Sequence, residues 1–160
     1  MSTMRRRAIR GLAVGDAFSV TRTFTAHDVA QFADLTRDFN PVHFDQRFAR
    51  TKNMPAVICH GLLVAGMITQ IGGQIGWLAS GMNFKFKKPV FIDDTITCTV
   101  TIGQIDARGR AAGKAVYTNQ QDEVVLEADL KGILPGPAER EVMRAMVTEG
   151  DPTNSRRGLD

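Results

Sequence analysis

Cys59-His60-Gly61-Leu62-Leu63-Val64-Ala65-Gly66-Met67-Ile68-Thr69-Gln70-Ile71-Gly72-Gly73-Gln74-Ile75-Gly76 carries no charged residue. Wound as a helix, it makes about five turns. Apolar side chains fall on almost every side of that helix, so it has no polar face to turn to water and belongs inside a fold. It is too short for a bilayer, which takes ~20 residues. The rest of the chain is therefore expected to wrap around it. Each glycine within it costs roughly 1 kcal/mol of helix propensity relative to alanine, which marks these positions as places of close backbone approach, to a sheet or to a ligand.

What wraps the helix is legible downstream. Alternation of apolar and polar residues predicts strands at 82–87, 95–105, 111–118 and 124–130, with turn signals at Pro89, Asp93-Asp94, Gly109 and Asn119 to Asp122. Four strands so punctuated read as an antiparallel meander. Upstream, Phe18, Val20 and Phe24 alternate with Ser19, Thr21 and Thr23, which predicts one more strand. Thr25 follows as a helix N-cap with Asp28 three residues on, a capping box with Asp in place of Glu, and Val29, Phe32, Ala33 and Leu35 recur at helical spacing. The fold class is α+β, a sheet curled around a central apolar helix. Residues 1–10 are expected as a flexible basic arm, 11–134 as the domain, and 135–160 as a tail with a short helix near 139–147 and disorder from 150.

The chemistry is expected in Thr36-Arg37-Asp38-Phe39-Asn40-Pro41-Val42-His43, which gathers a carboxylate, an amide and an imidazole. Pro41 fixes its own φ and pushes Asn40 out of the α region, so the preceding helix stops and Asp38 and His43 sit on a loop. Burial of Phe39, Val42 and Phe44 would pin that loop to the core, and loops so held are where catalytic side chains concentrate. Taken singly, Asp38 is a turn-capping residue and His43 a half-buried histidine. Asn40 is expected to bond loop backbone and hold its neighbours. At the start of the apolar helix, Gly61 offers an unpaired N–H at a positive helix terminus, with no side chain to keep an oxygen away.

Several function classes are excluded. The formal net charge is +3 in 160 residues, spread along the chain, with one Trp and one Tyr for stacking on bases, so nucleic acid is not the expected partner and a small polyanionic ligand fits better. No segment reads as a signal peptide or membrane span, so the expected location is cytoplasmic. Cys59 and Cys98 lack CxxC spacing and read as buried thiols. No metal is expected. Asp38-x-Asn40 opens like a calcium loop, but its sixth position is His43 rather than Gly and its twelfth is Ala49 rather than Glu. His43, Cys59 and His60 lack zinc-ligand spacing.

Asp38-Phe39-Asn40-Pro41-Val42-His43, then His60-Gly61-Leu62-Leu63, then Phe86-Lys87-Lys88-Pro89-Val90-Phe91 together resemble the MaoC-like hot-dog family, in particular its (R)-specific enoyl-CoA hydratases. The resemblance covers about residues 14–134. It departs from the family at Thr36-Arg37, where a small pair such as Ser-Gly is usual, and at Asp93, where glycine is common. The first departure sets a long cation beside the site. The resemblance implies a hot-dog fold and hydration of trans-2-enoyl-CoA to (R)-3-hydroxyacyl-CoA. Asp38 and His43 would act on the water, Gly61 on the thioester oxygen, and Thr69 would place a hydroxyl near that water. A coupled pair titrates as a unit, so base and acid are assigned to the pair and to neither member.

Lys85, Lys87 and Lys88 read as a solvated face, with contact to the CoA phosphates as the lesser reading. No cofactor is implied, because the CoA thioester is the substrate. A curled sheet with an open edge implies a homodimer or higher homo-oligomer. Two alternatives stand beside the hydratase. Hot-dog thioesterases commonly place a carboxylate on the central helix or an adjoining loop, and residues 61–76 contain no Asp or Glu. A non-catalytic acyl-CoA binding subunit would keep its function without Asp38.

Overall fold

The Thr25 hydroxyl accepts the Asp28 N–H and the Asp28 carboxylate accepts the Thr25 N–H, so the capping box legible in the sequence closes. The helix it starts is one of six in the computed structural model, which describes residues 3–150. In order these residues form α1 (Thr3–Arg10), β1 (Ala17–Thr23), α2 (Ala26–Thr36), a single 3-10 turn (Pro41–His43), α3 (Gln46–Thr51), α4 (Gly61–Ala65) and α5 (Met67–Ile75). They continue with β2 (Leu78–Phe86), β3 (Thr95–Ile105), β4 (Arg110–Thr118), β5 (Val124–Ile133) and α6 (Pro137–Thr148).

The five strands make one antiparallel sheet in the order β1-β3-β4-β5-β2. The sequence suggested a meander running through all four later strands in order. Only β3, β4 and β5 follow that path; β2 lies at the far edge beside β5, with Met82 opposite Leu130 and Phe86 opposite Leu126. Between β2 and β3 the chain crosses the end of the sheet. There the Lys87 and Lys88 N–H groups donate to Val125 O, and Val90 O accepts the Cys59 N–H. At the other edge, Ser19, Thr21 and Thr23 of β1 pair hydroxyl to hydroxyl with Thr99, Thr97 and Thr95 of β3 at 2.7–2.9 Å. That polar ladder marks the outer face of the sheet. Its inner face presents Ile96, Cys98, Val100 and Ile102 to Met67, Ile68, Ile71 and Ile75 of α5 in one buried cluster. Each such side chain contributes about 1.5–3 kcal/mol by leaving water.

The central helix departs from expectation in two ways. It is two helices, α4 and α5, joined at Gly66. At the joint, the Tyr117 hydroxyl of β4 donates to Ala65 O at 2.7 Å, and the Thr69 N–H and hydroxyl both donate to Gly66 O. A side chain from the sheet and one from the next turn thus serve the carbonyls where the helix breaks. Nor is the segment buried all round: Leu62, Thr69, Gln70 and Gly73 face solvent. Its glycines do not all mark close approach. A Cβ on Gly73 would meet no heavy atom within 4 Å, and one on Gly72 only Trp77 O at 3.8 Å.

Residues 3–10 are not a frayed arm. They form a helix that packs on α5 and α6. Ala8 is fully buried, and Arg5 Nη2 donates to Gly73 O at 3.1 Å. Arg7 pairs with Asp16 and lays its guanidinium over the Phe18 ring at 4.3 Å. Arginine stems cover apolar surface while their heads stay polar, so a sequence this basic conceals a packing face. The tail helix starts two residues earlier than expected, at Pro137, and buries Met143. The disorder expected from 150 falls, from 151 on, outside the described residues.

Candidate active site

Four local devices shape the loop that carries Asp38 and His43. Arg37 takes a left-handed conformation, φ 63°, and ends α2. The Asp38 carboxylate accepts the Asn40 N–H at 3.2 Å, and the Asn40 side-chain oxygen accepts the Val42 N–H at 3.2 Å. These are two successive Asx turns, and Asn40 thus bonds loop backbone as expected. Pro41 then opens the 3-10 turn that delivers His43.

Val42 and His43 are buried, but Phe39 and Phe44 are largely exposed, so the aromatic anchors expected to pin the loop do not. Hydrogen bonds do it instead. His43 Nδ1 donates to Ile58 O at 2.8 Å, the Ile58 N–H donates to Val42 O at 3.3 Å, and His60 Nε2 donates to the main-chain carbonyl of Asp38 at 2.9 Å. Because a carbonyl can only accept, the first bond sets the His43 tautomer: hydrogen on Nδ1, lone pair on Nε2. Burial holds the His43 pKa below its ordinary 6.5, and the neighbouring imidazole of His60 pushes the same way. The Cys59 thiol is pushed up to about 12 by burial, so it supplies no nucleophile.

His43 and Gly61 line one cavity of about 320 Å³, walled by Val64, Phe86, Val90 and Leu126. Lys87 and Lys88 also line it, but each is held by a carboxylate, Glu127 at 3.2 Å and Glu123 at 2.6 Å. Lys85 does not line it. Asp38 does not line it either; it is exposed, with an oxygen within 4.8 Å of an imidazole nitrogen of each of His43 and His60. Thr69 lies elsewhere, along a cavity between α5 and β2, and its hydroxyl is given to Gly66 O. Two larger grooves, about 660 and 770 Å³, run over the outer face of the sheet and contain none of these residues.

No side chain caps α4, since His60 at its N-cap makes no such bond. Gly61 lines the cavity, and its N–H has no partner among the described residues. With only five residues in α4, the single N–H matters more than a helix dipole. A Cβ on Gly61 would come within 2.7 Å of the exposed Phe86 ring, so the glycine also admits that ring.

In the sequence His60 is only the residue before Gly61 and a histidine without zinc-ligand spacing. It is 1% exposed, stacks on His43 with 3.8 Å between ring centroids and 30° between planes, and leaves Nδ1 with no partner among the described residues. Asp38, His43 and His60 could be taken for metal ligands. Each imidazole gives one nitrogen to a backbone carbonyl and keeps the other, and the two ring planes differ by 30°.

No helix among the described residues is long and apolar enough to cross a membrane. The chain is 37% identical over 97 residues to an (R)-specific enoyl-CoA hydratase of Aeromonas caviae, covering 58% of this chain and 72% of that one. It is 30% identical over 130 residues to a mitochondrial 3-hydroxyacyl-[acyl-carrier-protein] dehydratase of Arabidopsis thaliana, 78% of each. A solved (R)-hydratase from A. caviae superposes with a TM-score of 0.73 at 30% identity, over 79% of this chain and 99% of that one. The sheet curled on its central helices is thus the hot-dog fold of these hydratases. Residues 14–125 match the model of the MaoC like domain, and the chain belongs to the MaoC-like hydratase and dehydratase family.

Proposed function

We propose that this protein adds water to trans-2-enoyl-CoA to give (R)-3-hydroxyacyl-CoA, and runs the reverse dehydration, with Asp38 and His43 handling the protons and Gly61 N–H holding the thioester oxygen. The supporting observation is that His43 and Gly61, the latter with an uncapped N–H, line one cavity, and that the Asp38 carboxylate lies within 4.8 Å of a His43 ring nitrogen. Hydration makes a C–O bond at the β-carbon and a C–H bond at the α-carbon, and breaks one O–H bond of water and the π bond between those two carbons. With its hydrogen committed to Ile58 O, His43 offers a lone pair and not a proton. The pair therefore takes a proton from water as its oxygen attacks, and returns it to the α-carbon on the same face. Charge that gathers on the thioester oxygen between those events falls to the Gly61 N–H. Such a donor is worth about 3–4 kcal/mol in the transition state, and positioned acid-base groups about 10²–10⁴-fold in rate.

No cofactor enters this scheme. The acyl-carrier-protein thioester is a second substrate reading, favoured by the Arabidopsis relative, which aligns over more of this chain than the Aeromonas one. The proposed assembly is a homodimer and the proposed compartment the cytoplasm. The test follows enoyl absorbance with crotonyl-CoA beside free-thiol release, then repeats with crotonyl-acyl-carrier protein. Loss of absorbance without thiol release is expected, and Asp38→Asn and His43→Gln should each remove most of it while the fold persists. Near-parental turnover in either variant defeats the acid-base assignment; thiol release from the parent protein makes it a thioesterase instead.

A further inference from the structure

His60 takes no part in the steps above, yet it is the most deeply buried polar side chain of the site. Its contacts reach three parts of the machinery. Nε2 donates to the main-chain carbonyl of Asp38 at 2.9 Å. Its ring lies against His43. Its own carbonyl accepts the Val64 N–H at 3.2 Å, the first rung of α4, so the residue that follows it is Gly61. Phe32 and Phe44 flank the ring, with centroids at 5.1 and 6.1 Å.

We propose that His60 is a positioning residue that fixes the Asp38 loop, the His43 ring and the Gly61 N–H at one mutual spacing. This rests on the hydratase reading for what the spacing serves, though not for the contacts themselves. The loop needs such a tie. Asp38 is exposed, Phe39 and Phe44 do not anchor it, and the Asp38 N–H reaches only the Thr36 hydroxyl, at 3.4 Å. Both proton-handling groups and the oxyanion donor must meet one substrate, and a misplacement of about 1 Å costs on the order of 10²-fold in rate. An imidazole suits the position because it is flat enough to stack and carries a donor on its far edge. Glutamine keeps a donor without the ring, and phenylalanine keeps a ring without the donor.

A second consequence is electrostatic. Two imidazoles 3.8 Å apart resist carrying charge together, so His60 helps keep the His43 lone pair available. The other titratable or charged groups facing His43 are Asp38 on its own loop, the Cys59 thiol beside His60, and Lys87 and Lys88 across the cavity, which are paired with Glu127 and Glu123. A substitution at His60 removes none of these groups, and His60→Gln, which can still donate to Asp38 O, keeps the loop tied.

The experiment compares His60→Phe and His60→Gln with the parent protein, reading kcat and KM for crotonyl-CoA per folded molecule across pH. It also follows the His43 imidazole by long-range proton–nitrogen NMR without substrate. His60→Phe is expected to lower kcat on the order of tenfold or more with KM little changed. His60→Gln should recover most of that loss, because its amide can still donate to Asp38 O. In His60→Gln the His43 titration midpoint and the acid limb of kcat/KM should both move to higher pH. The proposal is overturned if His60→Phe keeps parental kcat, if His60→Gln falls as far as His60→Phe, or if the His43 midpoint in His60→Gln stays where it is. The NMR arm needs no turnover. A shifted midpoint in a protein that does not hydrate crotonyl-CoA would sink the hydratase reading and keep the His60–His43 contact.

Discussion

At the scale of single residues, the two departures from the family's usual pattern share one physical feature. Arg37 and Asp93 stand where a small residue or glycine is common, and both have left-handed backbone, φ 63° and 71°. A side chain there costs roughly 1–2 kcal/mol, less for Asp, whose short polar group tolerates the region. Arg37→Gly should therefore stabilise the fold by about 0.5–1 kcal/mol, after the entropy that glycine itself loses on folding. Asp93→Gly should gain less, and the midpoint of urea unfolding reads both. A stabilisation larger for Asp93→Gly than for Arg37→Gly would reject this account. Gly61 raises a different question, because the Phe86 ring already occupies the space where its side chain would go. Gly61→Val should lower kcat on the order of 10²-fold or more by crowding the thioester oxygen. Adding Phe86→Val should relieve the packing clash and restore stability but not rate. If the double variant turns over like the parent, Gly61 serves only the ring.

At the scale of elements, the joint between α4 and α5 depends on a partner far away in sequence. Tyr117 is fully buried, and its hydroxyl serves the Ala65 carbonyl that the broken helix leaves behind. Burial raises the pKa of that hydroxyl and keeps it a donor. Tyr117→Phe preserves the ring and removes the bond, leaving a buried carbonyl without a partner at a cost of about 1–3 kcal/mol. Thermal unfolding should show the loss, and amide exchange near Gly66 should quicken more than exchange in β3. An unchanged melting temperature would mean that the joint is held by Thr69 alone. The helix break could not be read from Gly66 by itself, because Gly72 and Gly73 lie inside α5 without a comparable joint.

At the scale of the molecule, the two edges of the sheet differ in kind. β1 ends the sheet with Ser, Thr and Arg side chains, whereas β2 at the other edge exposes Leu78, Met82 and Phe86. Leu78 is 71% exposed, and Leu62 on α4 is 63% exposed. An apolar edge strand with unpaired backbone groups calls for a partner. The chain should therefore run as a homodimer by light scattering at micromolar concentration, and Leu62→Asp with Leu78→Asp should shift it toward monomer. A monomeric mass for the parent protein contradicts the proposed assembly.

The sequence by itself determined what depends on near neighbours. Period-two alternation gave four of the strands close to their observed bounds, Thr25 and Asp28 started α2, and the uncharged run from Cys59 supplied the central segment, whereas α2 was ended by Arg37 and not by Pro41. The motif pieces resembling the MaoC-like family also named the loop and the glycine that meet at the cavity. Tertiary structure decided what depends on partners distant in the chain. The place of β2 beside β5, the hydroxyl that Tyr117 lends across 52 positions, the packing of the arginine-rich α1 and the tie from His60 to Asp38 across 22 positions all belong to that class. Periodicity reports which face of an element is apolar, but not which other element covers it. A buried histidine in the sequence is only a histidine until its two nitrogens have partners, and those partners are fixed by the fold.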